Sequence, residues 1–376
     1  MKVTVLQENL ARGLSIVSRA VSPRSTLPVL ANVLIATDEG RLRLSATNLE
    51  MGITCWIGAK IEEEGSTTVP ARTLADLVGT MPDPQVSLTL NTQNQTLNVR
   101  SGSSTNDIKG IDAQEFPPLP VPDFDDAILI NMTDFKEMIH QVAFAASTDE
   151  ARPVLMGVLV LVEGDKVTMA AADGFRLSVR SATLSAAAPA SVSAIIPARA
   201  LSELARIASD GEQTVQMVIP KGRGQVVFRV KDAELVSQLI DGTFPDYQQI
   251  IPRSHKSRTL VSTGSLLKAC RQAEIFAREG SNVVRLNIKT NGEMQPGEVE
   301  ISAHSEETGS NETLVEATVD GIPLLIAFNV KYLREVLEVV KSPNVAIETS
   351  APNAPGVVRP VGDDNFLHVI MPMHLG

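Results

Sequence analysis

Aromatic residues are scarce: one Trp, two Tyr and ten Phe among 376 residues. Any core must therefore be aliphatic, and the 43% of hydrophobic residues are enough for several cores. Cysteine is scarcer still. Cys55 and Cys270 are far apart and supply neither a disulfide framework nor a zinc spacing. That suits two reduced thiols in a cytoplasmic protein. No run approaches the roughly 20 apolar residues that span a membrane. The short apolar stretch after Lys2 is too brief for an export signal, so no membrane partner is expected. Positive charge is in deficit, with 33 Lys and Arg against 44 Asp and Glu and a net charge of −11. Taken alone, this argues against tight nucleic-acid binding, because that affinity comes largely from neutralising phosphates.

Signatures of catalysis are also missing. His140, His255, His304, His368 and His374 form no HxxxH or HxH pair, and no phosphate-loop or nucleophile-elbow motif occurs. The sequence nominates no catalytic residue, no metal and no cofactor. Gly222-Arg223-Gly224 reads as a hairpin turn. Asp173-Gly174-Phe175-Arg176 could hold a carboxylate beside a guanidinium, but no nucleophile or second acid is near it in sequence.

What the chain does contain is a threefold repeat. A strand leads into an amphipathic helix at Val3-Thr4-Val5, Ile128-Leu129-Ile130 and Leu260-Val261, so that Leu10, Phe135 and Leu266 superpose at offsets of 125 and 131. A strand with a small-residue end recurs at Leu42–Thr47, Thr168–Asp173 and Val299–His304, at offsets of 126 and 131. The clearest copy is Val69-Pro70-Ala71-Arg72-Thr73-Leu74, matched by Ile196-Pro197-Ala198-Arg199-Ala200-Leu201 and Phe328-Asn329-Val330-Lys331-Tyr332-Leu333. Runs such as Val86–Leu90 and Val226–Val230 alternate as strands do.

Each unit is expected to hold two helices and about eight short strands, which makes an α+β domain with helices packed on a sheet. The expected domains are 1–125, 126–255 and 256–376. Phe116–Pro122 and Arg253–Arg258 read as linkers, and Ala182–Ser191 as a surface loop. Helices are predicted over 7–24, 71–80, 133–147, 198–209, 264–278 and 330–341. They carry 13 Lys and Arg against 8 Asp and Glu, leaving 20 against 36 elsewhere. Mildly basic helices on one surface could face phosphates while the rest stays acidic. Ordinary solvated helix faces would give the same count. The Met-rich end, Val369-Ile370-Met371-Pro372-Met373-His374-Leu375, reads both as a last strand and as an adaptable binding surface.

Six stretches carry a resemblance that spans the chain: Arg24–Leu30, Thr68–Arg72, Asp173–Leu177, Asp241–Tyr247, Phe328–Val330 and Val369–Met373. In this order they resemble the bacterial replicative sliding clamp family, the beta subunit of DNA polymerase III. The resemblance implies a clamp fold of three repeated domains and a head-to-tail homodimer closing a six-domain ring around duplex DNA. It implies a non-catalytic processivity factor without sequence preference. Its partners would be the replicative polymerase, the clamp loader, and repair and translesion polymerases.

By the same resemblance Arg24, Arg72 and Arg199 would face DNA. A groove for partner peptides would be formed by Arg152, Leu155, Ala172, Gly174, Phe175, Arg176, Leu177, Pro245 and Ile250, together with Gly356, Val369, Met371, Pro372 and Met373. The dimer contact would join the edge strand around Ile108 to Ile275 and Phe276. The chain departs from the family's pattern at Pro153 and Val154, where two tyrosines touch DNA. It also departs at Gln248 and Gln249 in place of basic residues, at Asn106 in place of an apolar interface residue, and at the trailing Gly376. A repeat-built interaction scaffold that never encircles DNA, or an enzyme with a dispersed site, would be the competing readings.

Overall fold

A computed structural model describes residues 1–22, 24–208, 214–278, 281–290 and 296–374. Gly376 and Leu375 lie outside the described residues, as does Ser209 at the predicted end of the fourth helix.

Among the described residues there are six α-helices: α1 (Gln7–Val17), α2 (Ala71–Gly79), α3 (Met132–Val142), α4 (Ala198–Ile207), α5 (Thr263–Ala277) and α6 (Val330–Val339). Each buries the apolar stripe that its spacing announces, such as Leu10, Leu14 and Val17 in α1 or Leu333, Val336 and Leu337 in α6. The first helix is shorter than the sequence suggests. It tightens into a 3-10 turn at Ser18–Ala20, and Val21 is already extended, so Arg24 lies beyond it.

These bounds change the charge balance. The six helices hold nine Lys and Arg against eight Asp and Glu. The predicted basic excess comes from Arg19, Arg24, Arg278 and Lys341, all past a helix C-terminus. Three of them stand within two residues of that end, where the helix dipole favours a cation.

Among the described residues the strands number 24, eight in each of the spans 1–125, 126–255 and 256–376. They form two antiparallel sheets of twelve strands each. The path of the first sheet is Ser104–Lys109, Thr96–Ser101, Gln85–Asn91, Lys2–Leu6, Met51–Glu63, Ala233–Gln238, Gln225–Val230, Thr214–Val218 and Ile128–Asn131. Three further strands branch from Met51–Glu63 in the order Arg41–Thr47, Asn32–Asp38 and Ser66–Pro70, each paired with the one before it. In order, the second sheet begins Val192–Pro197, Gly157–Glu163, Lys166–Ala172 and Arg176–Thr183. It continues Phe366–Ile370, Gly356–Pro360, Asn344–Thr349, Ser257–Ser262, Gly309–Gly321, Gly297–Ser305, Val283–Lys289 and Leu324–Asn329.

Each sheet therefore runs from one repeat into the next. In both, the fourth strand of a repeat pairs with the eighth strand of its successor: Met51–Glu63 with Ala233–Gln238, and Arg176–Thr183 with Phe366–Ile370. Close contacts divide the chain into two units, 1–132 with 199–239 and 133–198 with 240–376. The central repeat contributes to both.

The predicted strands over Val86–Leu90 and Val226–Val230 are present, and Gly222 and Gly224 take positive φ of 73° and 59° in the turn between two paired strands. Two expected irregular stretches are trimmed. A strand already begins at Ser257 inside the predicted linker, and another runs to Thr183 inside the predicted loop. The central copy of the small-residue strand is also shifted by one residue. Leu42, Leu44 and Ala46 are fully buried, and so are Val167, Met169 and Ala171, whereas Thr168 is half-buried. Leu42 therefore corresponds to Val167, an offset of 125. The shift matters because one residue turns every side chain to the other face of a sheet. The cysteines sit in these cores, where burial pushes the Cys55 thiol up to about 11 and that of Cys270 to about 12. Neither is a thiolate at neutral pH.

Candidate functional site

The second unit contains an apolar cluster built from the sequence's separate motifs. Ala172 and Leu177 meet Val369 there, with Leu159, Ala170, Val179, Ile195, Phe244, Tyr247 and Val357. These side chains face away from the C-terminal repeat's own core, which takes Phe366 and Ile370 from the same strand. Pairing of Leu177 with Val369 across the sheet junction brings the two halves together. Above this floor several large apolar side chains remain exposed: Phe175 at 57%, Met371 at 39% and Ile250 at 38%. Arg152 and Pro245 are exposed, while Leu155, Pro372 and Met373 are half-buried. Gly356 is buried because Phe328 fills the space of a side chain, and a Cβ there would lie 2.5 Å from its Cζ.

One turn positions the exposed Phe175. Asp173 Oδ1 accepts the backbone N–H groups of Phe175 at 2.8 Å and Arg176 at 3.0 Å. Gly174 between them has φ of 95°, a conformation that a side chain disfavours. Phe175 O accepts Met371 N–H at 2.8 Å, and Met373 N–H reaches Ala327 O at 2.8 Å. The Met-rich tail is thus fastened by its backbone on both sides, with Met371 exposed and Pro372 and Met373 half-buried.

Arg176 behaves differently from its neighbours. Its side chain is only 8% exposed. Nε donates to Asp173 Oδ2 at 3.0 Å, Nη1 to Glu335, and Nη2 to Phe144 O at 2.8 Å. The guanidinium also lies 4.3 Å from the Tyr332 ring centroid. This group is spent within the chain: it holds the turn against α6 and does not line an open surface. Arg152 supports the same turn from outside, donating to Asp173 O at 3.1 Å and to Asp149 Oδ2 at 3.0 Å. Sequence reasoning missed the floor residues Phe244, Tyr247 and Ile195. The Asp241–Tyr247 motif pointed at the first two, but nothing in its pattern showed which faced inward.

His368 lies in the same junction, fully buried, with Nδ1 2.6 Å from Ser178 Oγ and its ring stacked on Phe144 at 5.4 Å. Burial, and then the Arg176 charge, push its imidazole from 6.5 down to about 3. An unfolded imidazole takes up the proton that the folded one refuses. Stability linked to this group is complete above pH 6.5 and falls as pH drops from there toward 3, by about 1.4 kcal/mol per unit. Denaturant titrations of wild type and His368→Gln between about pH 6 and 5 should show the steeper loss in wild type. Equal slopes would exclude the histidine as the cause.

The other predicted residues are scattered. Arg24, Arg72 and Arg199 are exposed. Arg72, Arg199 and Lys331 each occupy the second position of α2, α4 and α6. Ile275 is 60% exposed, while Phe276 is half-buried against the C-terminal core. Ile108 lies on an edge strand, as expected, but its side chain is 6% exposed and turned into its own repeat. Pro153 is exposed and Val154 packs against the groove floor. Gln248 and Gln249 are exposed beside it. Among the described residues no helix is long and apolar enough to cross a membrane, and no three His, Cys, Asp or Glu side chains cluster as metal ligands would.

Comparison with known proteins places these features in context. Sequence profiles for the DNA polymerase III beta subunit match in three parts: the N-terminal domain over residues 1–120, the central domain over 129–246 and the C-terminal domain over 248–374. A beta sliding clamp of Synechococcus elongatus is 35% identical over 379 residues, covering all of both chains. One of Staphylococcus epidermidis is 32% identical over 382 residues, covering 99% of each. Among solved structures, a DNA polymerase sliding clamp from Bacillus subtilis superposes with a TM-score of 0.94 at 30% identity over all of both chains. The DNA polymerase III beta subunit of Pseudomonas aeruginosa gives 0.91 at 28%, again over all of both chains.

Proposed function

Because the chain belongs to the bacterial DNA polymerase III beta subunit family and is a DNA sliding clamp, we propose that two copies join head to tail into a ring. The ring encircles duplex DNA and tethers partner proteins to it as a non-catalytic processivity factor. The observation that carries this reading is the repeated junction. Twice within the chain a fourth strand pairs with an eighth strand of the following repeat. One fourth strand and one eighth strand are left over. Among the described residues Ser104–Lys109 is an outer strand of its sheet, and the first half of Gly309–Gly321 pairs on one side only. Open edges with unpaired backbone groups favour strand addition. Beside the second edge lie exposed Leu314 and Ile275, and a recess of about 750 Å³ between α5 and the strand. A second copy would use the same pairing a third time, in a heterologous contact that closes by rotation. Ile108 would then contribute through its backbone, with Ile275 and Phe276 opposite.

Contact with DNA falls to basic residues that local stability does not explain. Arg72, Arg199 and Lys331 stand at helix N-termini, where the dipole disfavours a cation by about 0.3–1 kcal/mol. Exposed partners such as Asp76, 3.6 Å from Arg72, offset little of this. Together with Arg24 they suit weak, sequence-blind phosphate contacts that permit sliding. Encirclement then does what affinity would otherwise do, which accommodates a net charge of −11. The apolar groove, with Arg152 and the backbone at Phe175 as polar anchors, suits a short apolar peptide carried by polymerases, the clamp loader and repair proteins. Spans 1–125, 126–255 and 256–376 serve as the three domains of each copy.

A ring loaded on nicked circular DNA is expected to remain bound through gel filtration at moderate salt and to be lost once the circle is cut. Equal loss from intact and cut circles would overturn encirclement in favour of a scaffold that never surrounds DNA.

A further inference from the structure

The internal repeat fixes not only that two copies meet but which residues face each other. In every repeat a ladder of directly opposed residues runs from the first strand to the eighth. It passes through Val3, Leu88, Val99 and Asn106 in the first repeat. In the second it passes through Ile128, Met217, Phe228 and Leu235. In the third it passes through Thr259, Ile347, Val358 and His368. Each ladder starts seven residues before a fully buried helix residue, at Leu10, Phe135 or Leu266. Asn106, Leu235 and His368 are therefore equivalent.

The fourth strands align in the same way. Ile35, Val160 and Leu286 are opposed by Leu44, Met169 and Ile301. Two residues further on stand Ala46, Ala171 and Ala303, opposed by Ile53, Ser178 and Asn311. At the first junction Leu235 faces Ile53, an apolar pair, and at the second His368 faces Ser178 with a hydrogen bond. We propose that at the junction between copies Asn106 faces Asn311 of the second copy, and that these two amides pair to set the register of the contact.

Two independent features fit. Asn311 Oδ1 is buried yet has no donor among the described residues, so its amide is incompletely satisfied in the single chain. Asn106 Nδ2 donates to Ser104 Oγ at 3.0 Å and, in a long contact of 3.5 Å, to Val99 O within its own copy, and exchanging that long contact for one across the junction would give Asn311 Oδ1 its donor. Ile275, exposed at 60%, stands nine residues after Leu266, as Phe144 stands nine after Phe135. Phe144 stacks on His368, the equivalent of Asn106. Ile275 of the second copy would thus cover the Asn106 position and shield the amide pair from water. A two-residue slip would instead set Asn106 opposite Gly309 or Thr313 and Asn311 opposite Ser104 or Ile108, so that the amide–amide pair forms in one register only.

The inference rests on the head-to-tail reading, and its tests separate the two. Asn106→Leu alone strands the Asn311 amide and should weaken the dimer about tenfold to a hundredfold in sedimentation equilibrium. Asn106→Leu combined with Asn311→Ile recreates the Leu235–Ile53 type of junction and should bring the dimer constant back to within about fivefold of wild type. Additive losses in the double variant would overturn the pairing. A second measurement does not depend on energetics. Asn106→Cys protein mixed with Asn311→Cys protein should form a covalent dimer on oxidation, because opposed Cβ atoms lie about 4.5–5.5 Å apart. Asn106→Cys mixed with Thr313→Cys should not, since that diagonal is about 7–8 Å. Preferential cross-linking of the diagonal pair would disprove the register. A wild-type protein that stays monomeric at micromolar concentration would overturn the ring itself.

Discussion

Replacing Met371 and Met373 together with alanine is expected to weaken binding of an apolar partner peptide by about 5- to 30-fold while the dimer survives. The tail's path does not depend on these side chains. Its backbone is held by Phe175 O and Ala327 O, and both bonds survive the substitution. What is lost is apolar surface that a ligand would cover, and full burial of a methionine side chain contributes about 1.5–3 kcal/mol. Met371 is 39% exposed and Met373 is half-buried before any ligand arrives, so a ligand covers only part of each, and the two together contribute about 1–2 kcal/mol, or about 5- to 30-fold. Fluorescence anisotropy with a labelled peptide from a polymerase tail measures the loss, and sedimentation checks the dimer. Undiminished binding would move the docking site away from this groove.

The second large effect concerns Arg176. Arg176→Ala removes the cation shared by Asp173 and Glu335, whose side chains are only 12% and 22% exposed. Asp173 would then lose its guanidinium partner and Glu335 would keep only the exposed Lys331 Nζ at 4.0 Å, along with an unpaired carbonyl at Phe144. Breaking a buried pair in this way costs about 3–5 kcal/mol. In a cooperative unit of the size of 133–198 with 240–376, each kcal/mol corresponds to about 2–4 °C in Tm. Scanning calorimetry should therefore show a drop of at least about 6 °C, and Arg176→Lys should recover little of it, because an ammonium cannot reproduce the forked geometry. Peptide affinity should fall as well, since the Asp173–Phe175 turn that anchors Met371 loses its support. A variant with wild-type Tm would mean that the ion pairs make no net contribution.

Much of this was legible in the sequence because the relevant signals are local. The spacing of Leu10, Leu14 and Val17 marks a buried helix face, and the Val69, Ile196 and Phe328 copies mark equivalent strand ends. Alignment alone misjudged the central small-residue strand by one position. In Thr168-Met169-Ala170-Ala171-Ala172 the small residues suit either face, and only pairing fixes the phase. The first helix was overextended because Val21 continues its apolar spacing, although the chain leaves the helix after Val17. Motif resemblance placed Arg176 in the groove with Phe175. A sequence cannot show that one of two adjacent residues turns inward to a glutamate 159 positions away. The sheet junctions were invisible for a related reason: strand alternation reports which face is buried but not which strand lies alongside.

The junctions within each copy differ from those between copies in one respect. The segment containing Phe116–Pro122 lies between the first fourth strand and its partner Ala233–Gln238, so that pairing re-forms as a unimolecular event, independent of dilution. Only the contact between copies is bimolecular, and a closed ring makes it twice. Once one such contact exists, the other forms at the high effective concentration of a tethered pair. Each can then be individually weak, weak enough to be pried apart for DNA entry, while the ring as a whole rarely falls into halves.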